Sequence, residues 1–350
     1  MIENFITVFK SGLNLAIKFC IRIFVQIKVR IFGKFLYRNV LFNQKTDRQN
    51  EDADLPREIE ILSPFYGEIY RNMFADTCLP SLLQSGIDQL CPKIPTQLSI
   101  HCPRSDWETI KNQVSICVGN LPIEVRWFPL ELPEGQIKNQ VVMPFVRSRV
   151  QSTINQDQLI VFAFPDHIFG KGLDRAILNT SRGEYVVCIS LRTPSESGAN
   201  FYKTDIKENR YRNCDLVKYA LEMYVHPLVR QAFEDKHDYL HFKKQDGGYL
   251  GYFCEPPPLL MWGSADIFHS AFHRPFYGEK GLLECLDHDI PNLMLKHHRL
   301  RVINDSEYFC WLELTPESRY REMITSRFNL ESSVYLRNVP LRFSVSNTEP

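Results

Sequence analysis

The sequence carries no excess charge of either sign. Lys and Arg together number 41, as do Asp and Glu, so the formal net charge is zero. A general nucleic-acid binder leaves a basic excess, and its absence excludes that class. Paired cysteines are also missing. Ten cysteines are present, but no Cys-x-x-Cys pair occurs; Cys20, Cys117, Cys188 and Cys310 stand singly in apolar or mixed stretches. That spacing excludes a clustered zinc site and predicts buried free thiols in a reducing compartment. The N-terminus lacks the short apolar core and small-residue cleavage site of a secretory signal. It also lacks the roughly 18 apolar residues with few charges that a membrane span requires. Lys10, Lys18, Arg22, Lys28 and Arg30 interrupt every apolar run there. No internal repeat or low-complexity tract is visible.

What remains is ordinary globular composition. The chain has 350 residues, 44% hydrophobic and 23% charged, enough for an ample core.

Residues 1–42 are rich in Ile, Phe, Val, Lys and Arg. Stepped at about 100° per residue, Glu3, Thr7, Lys10, Asn14, Lys18 and Arg22 fall on one side. Phe5, Phe9, Leu13, Phe19, Ile23 and Ile27 fall opposite. After Lys28 the charges move to another side, so a bend or break is expected there. The pattern predicts a basic amphipathic helix lying in the headgroup plane, its cations toward anionic lipid. Each Lys or Arg near such a surface contributes about 1 kcal/mol. Packing of this helix on the protein's own core or on a partner is the alternative. Residues 43–57 are polar and charged and read as a linker. A single catalytic body is expected over 58–345.

Within that body strands and helices alternate. Glu58–Ser63, Thr96–His101, Ile123–Phe128, Gln158–Phe164 and Tyr185–Leu191 read as strands. Ile69–Ser85, Trp107–Val118, Val141–Ile154 and Leu173–Thr180 carry helical spacing. The pattern predicts an α/β fold: a mostly parallel sheet with helices on both faces. The C-terminal half, with most of the histidines and Pro256-Pro257-Pro258, reads as loop-rich.

Open α/β sheets bind ligands beyond the carboxyl ends of their strands. One buried strand runs into Phe164-Pro165-Asp166-His167. A carboxylate there can hold a divalent cation that neutralises a diphosphate leaving group. Its other reading is a loop Asp capping the next helix. Arg147 and Arg149 can pair with phosphate, but two apart they cannot share one helix face. Trp262 and Gly263, in Met261-Trp262-Gly263-Ser264, suit a sugar ring against an aromatic face. His269 and His273 share a face if helical, a spacing compatible with a metal.

The order strand, Ser63-Pro64-Phe65-Tyr66-Gly67, helix, strand, helix, strand, helix, strand, Asp166-His167 resembles a GT-A glycosyltransferase core. The stretch Phe164–Gly172 also looks like a little-characterised bacterial group with Asp-His-Ile-Phe in place of Asp-x-Asp. The resemblance implies a GT-A-like sheet and a nucleotide-sugar donor held by Ser63, Pro64, Tyr66, Asp166 and His167; Arg147, Trp262 and Gly263 join the donor-binding candidates on their own chemistry. It implies Mn²⁺ or Mg²⁺ on Asp166 and His167, with His273 as a further candidate ligand. One acid stands where the family has two; an imidazole in the shell favours Mn²⁺ over Mg²⁺. In Glu284-Cys285-Leu286-Asp287-His288-Asp289 the resemblance implies a general base, Asp287 or Asp289. The implied activity is transfer of a sugar to a glycan or lipid-linked acceptor by a cytoplasmic protein, peripheral on the inner membrane face. A non-catalytic nucleotide-sugar-binding scaffold is the alternative. A nucleotidyltransferase would carry a Gly-rich, basic phosphate loop after its first strand, which SPFYGEIYR lacks.

Removing about the first 40 residues should release the protein from anionic vesicles while donor binding persists. Vesicle sedimentation checks this, and retention of the truncated protein would rule out the anchor.

Overall fold

The computed structural model describes residues 41–42, 55–130, 157–188, 190–203, 211–223, 240–245, 248–253, 258–262, 294, 297, 299–317 and 340–344. In chain order the first strands are β1 (Leu41–Phe42), β2 (Glu58–Pro64), β3 (Thr96–Cys102), β4 (Ile123–Pro129), β5 (Gln158–Phe162), β6 (His167–Phe169) and β7 (Tyr185–Cys188). They are followed by β8 (Ser190–Pro194), β9 (Leu240–Gln245), β10 (Gly248–Phe253), β11 (Pro258–Trp262), β12 (Leu300–Ile303), β13 (Trp311–Thr315) and β14 (Pro340–Ser344).

The main sheet has eight strands in the order β1-β12-β7-β11-β5-β2-β3-β4. All neighbours are parallel except β11, which runs antiparallel to both β5 and β7. The expected α/β class with a mostly parallel sheet is therefore present. The strands at Glu58, Thr96, Ile123 and Gln158 stand where the alternation put them.

Two expectations change. Tyr185–Leu191 is not one strand: β7 belongs to the main sheet, and β8 continues into a second, three-stranded sheet of order β6-β13-β8. Leu41 and Phe42 are strand, not the end of a helix, and pair with Arg301 and Val302. The rest of the expected 1–42 helix, and the Val141–Ile154 helix with Arg147 and Arg149, lie outside the described residues. No helix among the described residues is long and apolar enough to cross a membrane.

Alternation gives the main sheet two chemically different faces. Ile59, Ile61, Leu98, Ile100, Leu159 and Val161 point to one side and are fully buried. Each such side chain contributes about 1.5–3 kcal/mol by leaving water. The helices that cross from β2 to β3 and from β3 to β4 both pack there, sharing one core with these strands. Two right-handed crossovers progressing in one direction must lie on one face. The opposite face carries Glu60, Gln97, Ser99 and His101, which are also buried.

The first crossover is not a plain α-helix. It runs from Glu68–Met73 through a wide π turn at Phe74–Cys78 into Leu79–Leu82, then a second at Leu83–Ile87. Pro80 explains the first irregularity, since a proline lacks the donor and its ring crowds the preceding turn. Hydroxyls take up the loosened carbonyls: Thr77 donates to Met73 O at 2.7 Å and Ser81 to Cys78 O at 2.9 Å. The Ser81 hydroxyl also accepts from the Phe169 N–H at 3.0 Å, fastening this helix to β6. The run breaks at Gly86, whose φ of +119° suits glycine. A Cβ there would sit 2.5 Å from the Asp174 carboxylate.

Ser81→Ala leaves the buried Phe169 N–H unsatisfied and should lower unfolding free energy by about 1–3 kcal/mol. Thr109→Ala removes a comparable but exposed bond to Ser105 O and should change stability by less than about 0.5 kcal/mol. Urea denaturation of both variants checks the contrast.

Candidate active site at the seam of two sheets

β2 and β5 are adjacent and parallel, yet the chain leaves β2 toward β3 and β4 on the other side. The strand order reverses at this point. A crevice forms beyond the carboxyl ends of two such strands, because their connections leave in opposite directions. Leu62 pairs with Phe162, and the Ala163 N–H donates to Leu62 O at 3.0 Å. The exits Ser63–Gly67 and Ala163–His167 therefore start side by side. Ser63, Pro64, Tyr66, Asp166 and His167, picked out from separate parts of the sequence, lie at one rim.

Their exposures differ. Ser63 is fully buried and alternates onto the helix-covered side with Ile61. Pro64 is buried, and Tyr66 is 8% exposed. Burial, with Tyr70 nearby, pushes the Tyr66 hydroxyl's pKa up, so it stays protonated. The first loop is fixed from the next helix. The Gly67 N–H donates to Asp106 Oδ2 at 3.3 Å, and Arg71 pairs with Asp106 Oδ1 at 3.0 Å. Asp106 and Arg71 were not among the residues expected from sequence.

Asp166 sits in the turn between β5 and β6, its side chain 24% exposed. Its carbonyl accepts from the Leu314 N–H of β13 at 2.6 Å. The aspartate is thus held by backbone on both sides, by the main sheet before it and the small sheet after it. Gly170 closes the segment, its N–H donating to Cys310 O at 2.8 Å. Any Cβ at that position would lie 2.4 Å from the same oxygen, so the Phe-Gly step demands a glycine.

His167 is 3% exposed and stacked on Trp311, ring centroids 4.1 Å apart. Its Nε2 lies 3.9 Å from Asp166 Oδ1. Burial first, and then the charge of Arg192, hold its pKa down to about 3. The imidazole is neutral, and the approach to Asp166 is not an ion pair. Cys78 lies close by, its thiol donating to Phe164 O at 3.2 Å. Burial, and then the Asp166 charge, push that thiol well up, so it is unreactive. The seven described cysteines are all free, and six are buried, as the sequence led us to expect.

Two expected ligands thus converge, Asp166 and His167. Among the described residues no three His, Cys, Asp or Glu side chains form a metal-holding group. The Nδ1 of His167 has no hydrogen-bond partner among the described residues, whereas a metal-bound imidazole normally has its second nitrogen engaged. The donor set fits a hard cation held by the Asp166 carboxylate that keeps phosphate and water as its other ligands. Imidazole ligation by His167 is the weaker fit.

Trp262 is not brought to this rim. It ends β11 opposite Leu159, near the start of β5, so it stands at the amino ends of the parallel strands. There it is 2% exposed, and its Nε1 donates to Asp157 Oδ1 at 3.0 Å. The antiparallel direction of β11 is the reason. Arg147, Gly263, His269, His273, Asp287 and Asp289 lie outside the described residues.

The small sheet adds two residues the sequence reading passed over. Glu313 of β13 is paired in register with His167 on one side and with Arg192 of β8 on the other. Arg192 Nε lies 3.0 Å from Glu313 Oε2. A signal existed: each is the lone charge within a short apolar strand, SLRTP and WLELT, where an ion needs a partner or a task.

The buried His167 predicts a pH signature. An unfolded histidine titrates near 6.5 and the folded one near 3, so on acidification the unfolded chain takes up this proton first. The associated stability is complete above about pH 6.5 and is lost as pH falls from there toward 3. His167→Gln should show a shallower loss of stability than the parent between about pH 6.5 and 4. Urea midpoints at stepped pH measure it, and equal slopes would refute a neutral buried imidazole.

Compared with known proteins, the chain matches no family model and no curated protein.

Proposed function

We propose that the protein is a glycosyltransferase that moves a sugar from a nucleotide-sugar donor to a glycan or lipid-linked acceptor. The observation that carries this is the partly exposed Asp166 at the switch point of the sheet. Strand order supports it further. Numbered from β2, the seven strands of the main sheet other than β1 read 3-2-1-4-6-5-7 with only the sixth antiparallel, a mostly parallel sheet compatible with the GT-A core that the sequence resembles. In that core the acidic motif follows the fourth strand, and here Asp166 follows β5, the fourth.

The chemistry asked of the site is mostly electrostatic. A departing nucleoside diphosphate must be stabilised and one acceptor hydroxyl positioned. The carboxylate of Asp166 would hold a divalent cation, which when bound offsets the charge developing on the leaving diphosphate. The loop Pro64–Gly67, braced by Asp106, would seat the nucleotide. Neutral His167, stacked on Trp311, fixes where the Asp166 turn points. Asp287 or Asp289 is our candidate base for the acceptor hydroxyl. The basic, amphipathic segment 1–40 would keep the protein on the inner membrane face, near lipid-linked acceptors.

Purified protein should hydrolyse or transfer one member of a panel of nucleotide-sugars supplied with Mn²⁺. Asp166→Asn should lower that rate at least about a hundredfold with its thermal transition unchanged. Donor binding without turnover, together with a harmless Asp166→Ala, would replace this reading with that of a nucleotide-sugar-binding scaffold.

A further inference from the structure

β4 closes one end of the main sheet. It pairs with β3 in a regular parallel register, from Thr96↔Ile123 to Cys102↔Pro129. Among the described residues no strand lies on its other side. Along a parallel strand alternate residues bond to a given neighbour. The Leu130 N–H donates to Cys102 O of β3, so the even-numbered residues of β4 turn their main-chain groups inward. Val125 and Trp127 turn theirs outward. Edge strands are normally blunted by a bulge, an inner proline, lysines or a short length. β4 has seven residues, no register shift, no lysine, and a proline only at its last position.

Both faces of the strand fit a second copy of itself. On the helix-covered face Val125 and Trp127 are only partly buried, as are Leu121 before the strand and Trp107 of the helix Arg104–Val118. The Trp107 and Trp127 rings lie 6.0 Å apart, so an incompletely covered apolar strip follows the edge. On the opposite face stand Glu124 and Arg126, 59% and 49% exposed and paired with each other at 2.7 Å. Their order along the strand selects the occupant. Turned antiparallel about Val125, a second β4 places its Arg126 opposite Glu124 and its Glu124 opposite Arg126. Val125 then meets its own counterpart through the outward main-chain groups, as a hydrogen-bonded pair. Residues 124 and 126 fall in the non-bonded positions, where opposed side chains come closest. Four charges alternate in sign across the seam. Each copy offers the other the same patch, as a twofold contact requires.

We propose that the protein forms a twofold dimer by antiparallel pairing of β4 with β4 of a second copy. The two main sheets become one continuous sheet, and the strip of Trp107, Val125 and Trp127 is covered at the seam. The pairing holds or fails independently of the glycosyltransferase reading.

Sedimentation velocity of the full-length protein over a micromolar concentration series tests it. The wild type should run at twice the chain mass and dissociate on dilution. Glu124→Arg sets arginine against arginine on both sides of the twofold axis and should weaken the dimer at least about tenfold. Both positions are exposed, so the variants should fold as the parent does, which thermal transitions verify. Glu124→Arg combined with Arg126→Glu rebuilds the alternation in reversed order. That double variant should return to within about threefold of the wild-type dissociation constant. Glu196→Arg makes the same charge change on the exposed side of the helix Ser195–Phe201 and should leave the dimer intact. A monomeric wild type overturns the proposal. A Glu124→Arg variant as dimeric as the wild type overturns it too, by moving the interface elsewhere. A double variant that stays monomeric overturns the pairing about Val125. Equal dissociation by Glu196→Arg replaces it with an effect of overall charge.

Discussion

The backbone hydrogen bond from Leu314 N–H to Asp166 C=O is the joint on which the proposed site depends. β5 leaves the main sheet at Phe162 and the chain enters the small sheet at His167. Four residues make that passage, and a buried backbone in transit between sheets must satisfy its polar groups from both. Ala163 is tied back to β2, and Asp166 is tied forward to β13. The aspartate is therefore placed by main-chain geometry, and its side chain is left partly exposed where the two sheets meet.

Everything around this joint serves to make it rigid. The helix leaving β2 reaches β6 through Ser81. The helix leaving β3 reaches the first loop through Asp106. Asn213 braces the other end of the motif, accepting from Lys171 N–H at 2.6 Å and donating to Lys171 O at 3.0 Å. Aromatic packing of His167, Trp311, Phe169 and Phe309 fills the space beneath. A side chain held by contacts of this kind keeps a fixed geometry, which the leaving-group stabilisation proposed above would require. Proline at position 80 and glycine at 86 and 170 are the local concessions that let these pieces approach.

The small sheet also changes how the motif is understood. Read along the chain, Asp166 and His167 look like one acid and one imidazole awaiting a metal. Placed in register, His167 neighbours Glu313, and Glu313 neighbours Arg192. The imidazole is driven neutral by burial, while a carboxylate and a guanidinium from distant segments bring charge to the same face. The electrostatics of the rim thus belong to three strands that are far apart in sequence.

Alternation and helical spacing alone determined the strands β2 to β5, the crossover helices from β2 to β3 and from β3 to β4, the α/β class and the candidacy of Asp166, because those signals are local and periodic. The lack of Cys-x-x-Cys spacing marked the cysteines as unpaired, and the seven described ones are free. Tertiary structure decided what lies beside what. The direction of β11 moved Trp262 to the opposite rim, since an apolar strand reads the same whichever way it runs. The break after Cys188 split one apolar run between two sheets, because strand pairing, not hydrophobicity, sets sheet membership. The pairing of Arg192 with Glu313 and the hold of Asp106 on the first loop arise only through register and packing, which join residues separated by up to a hundred and more positions and leave no periodic trace in the chain.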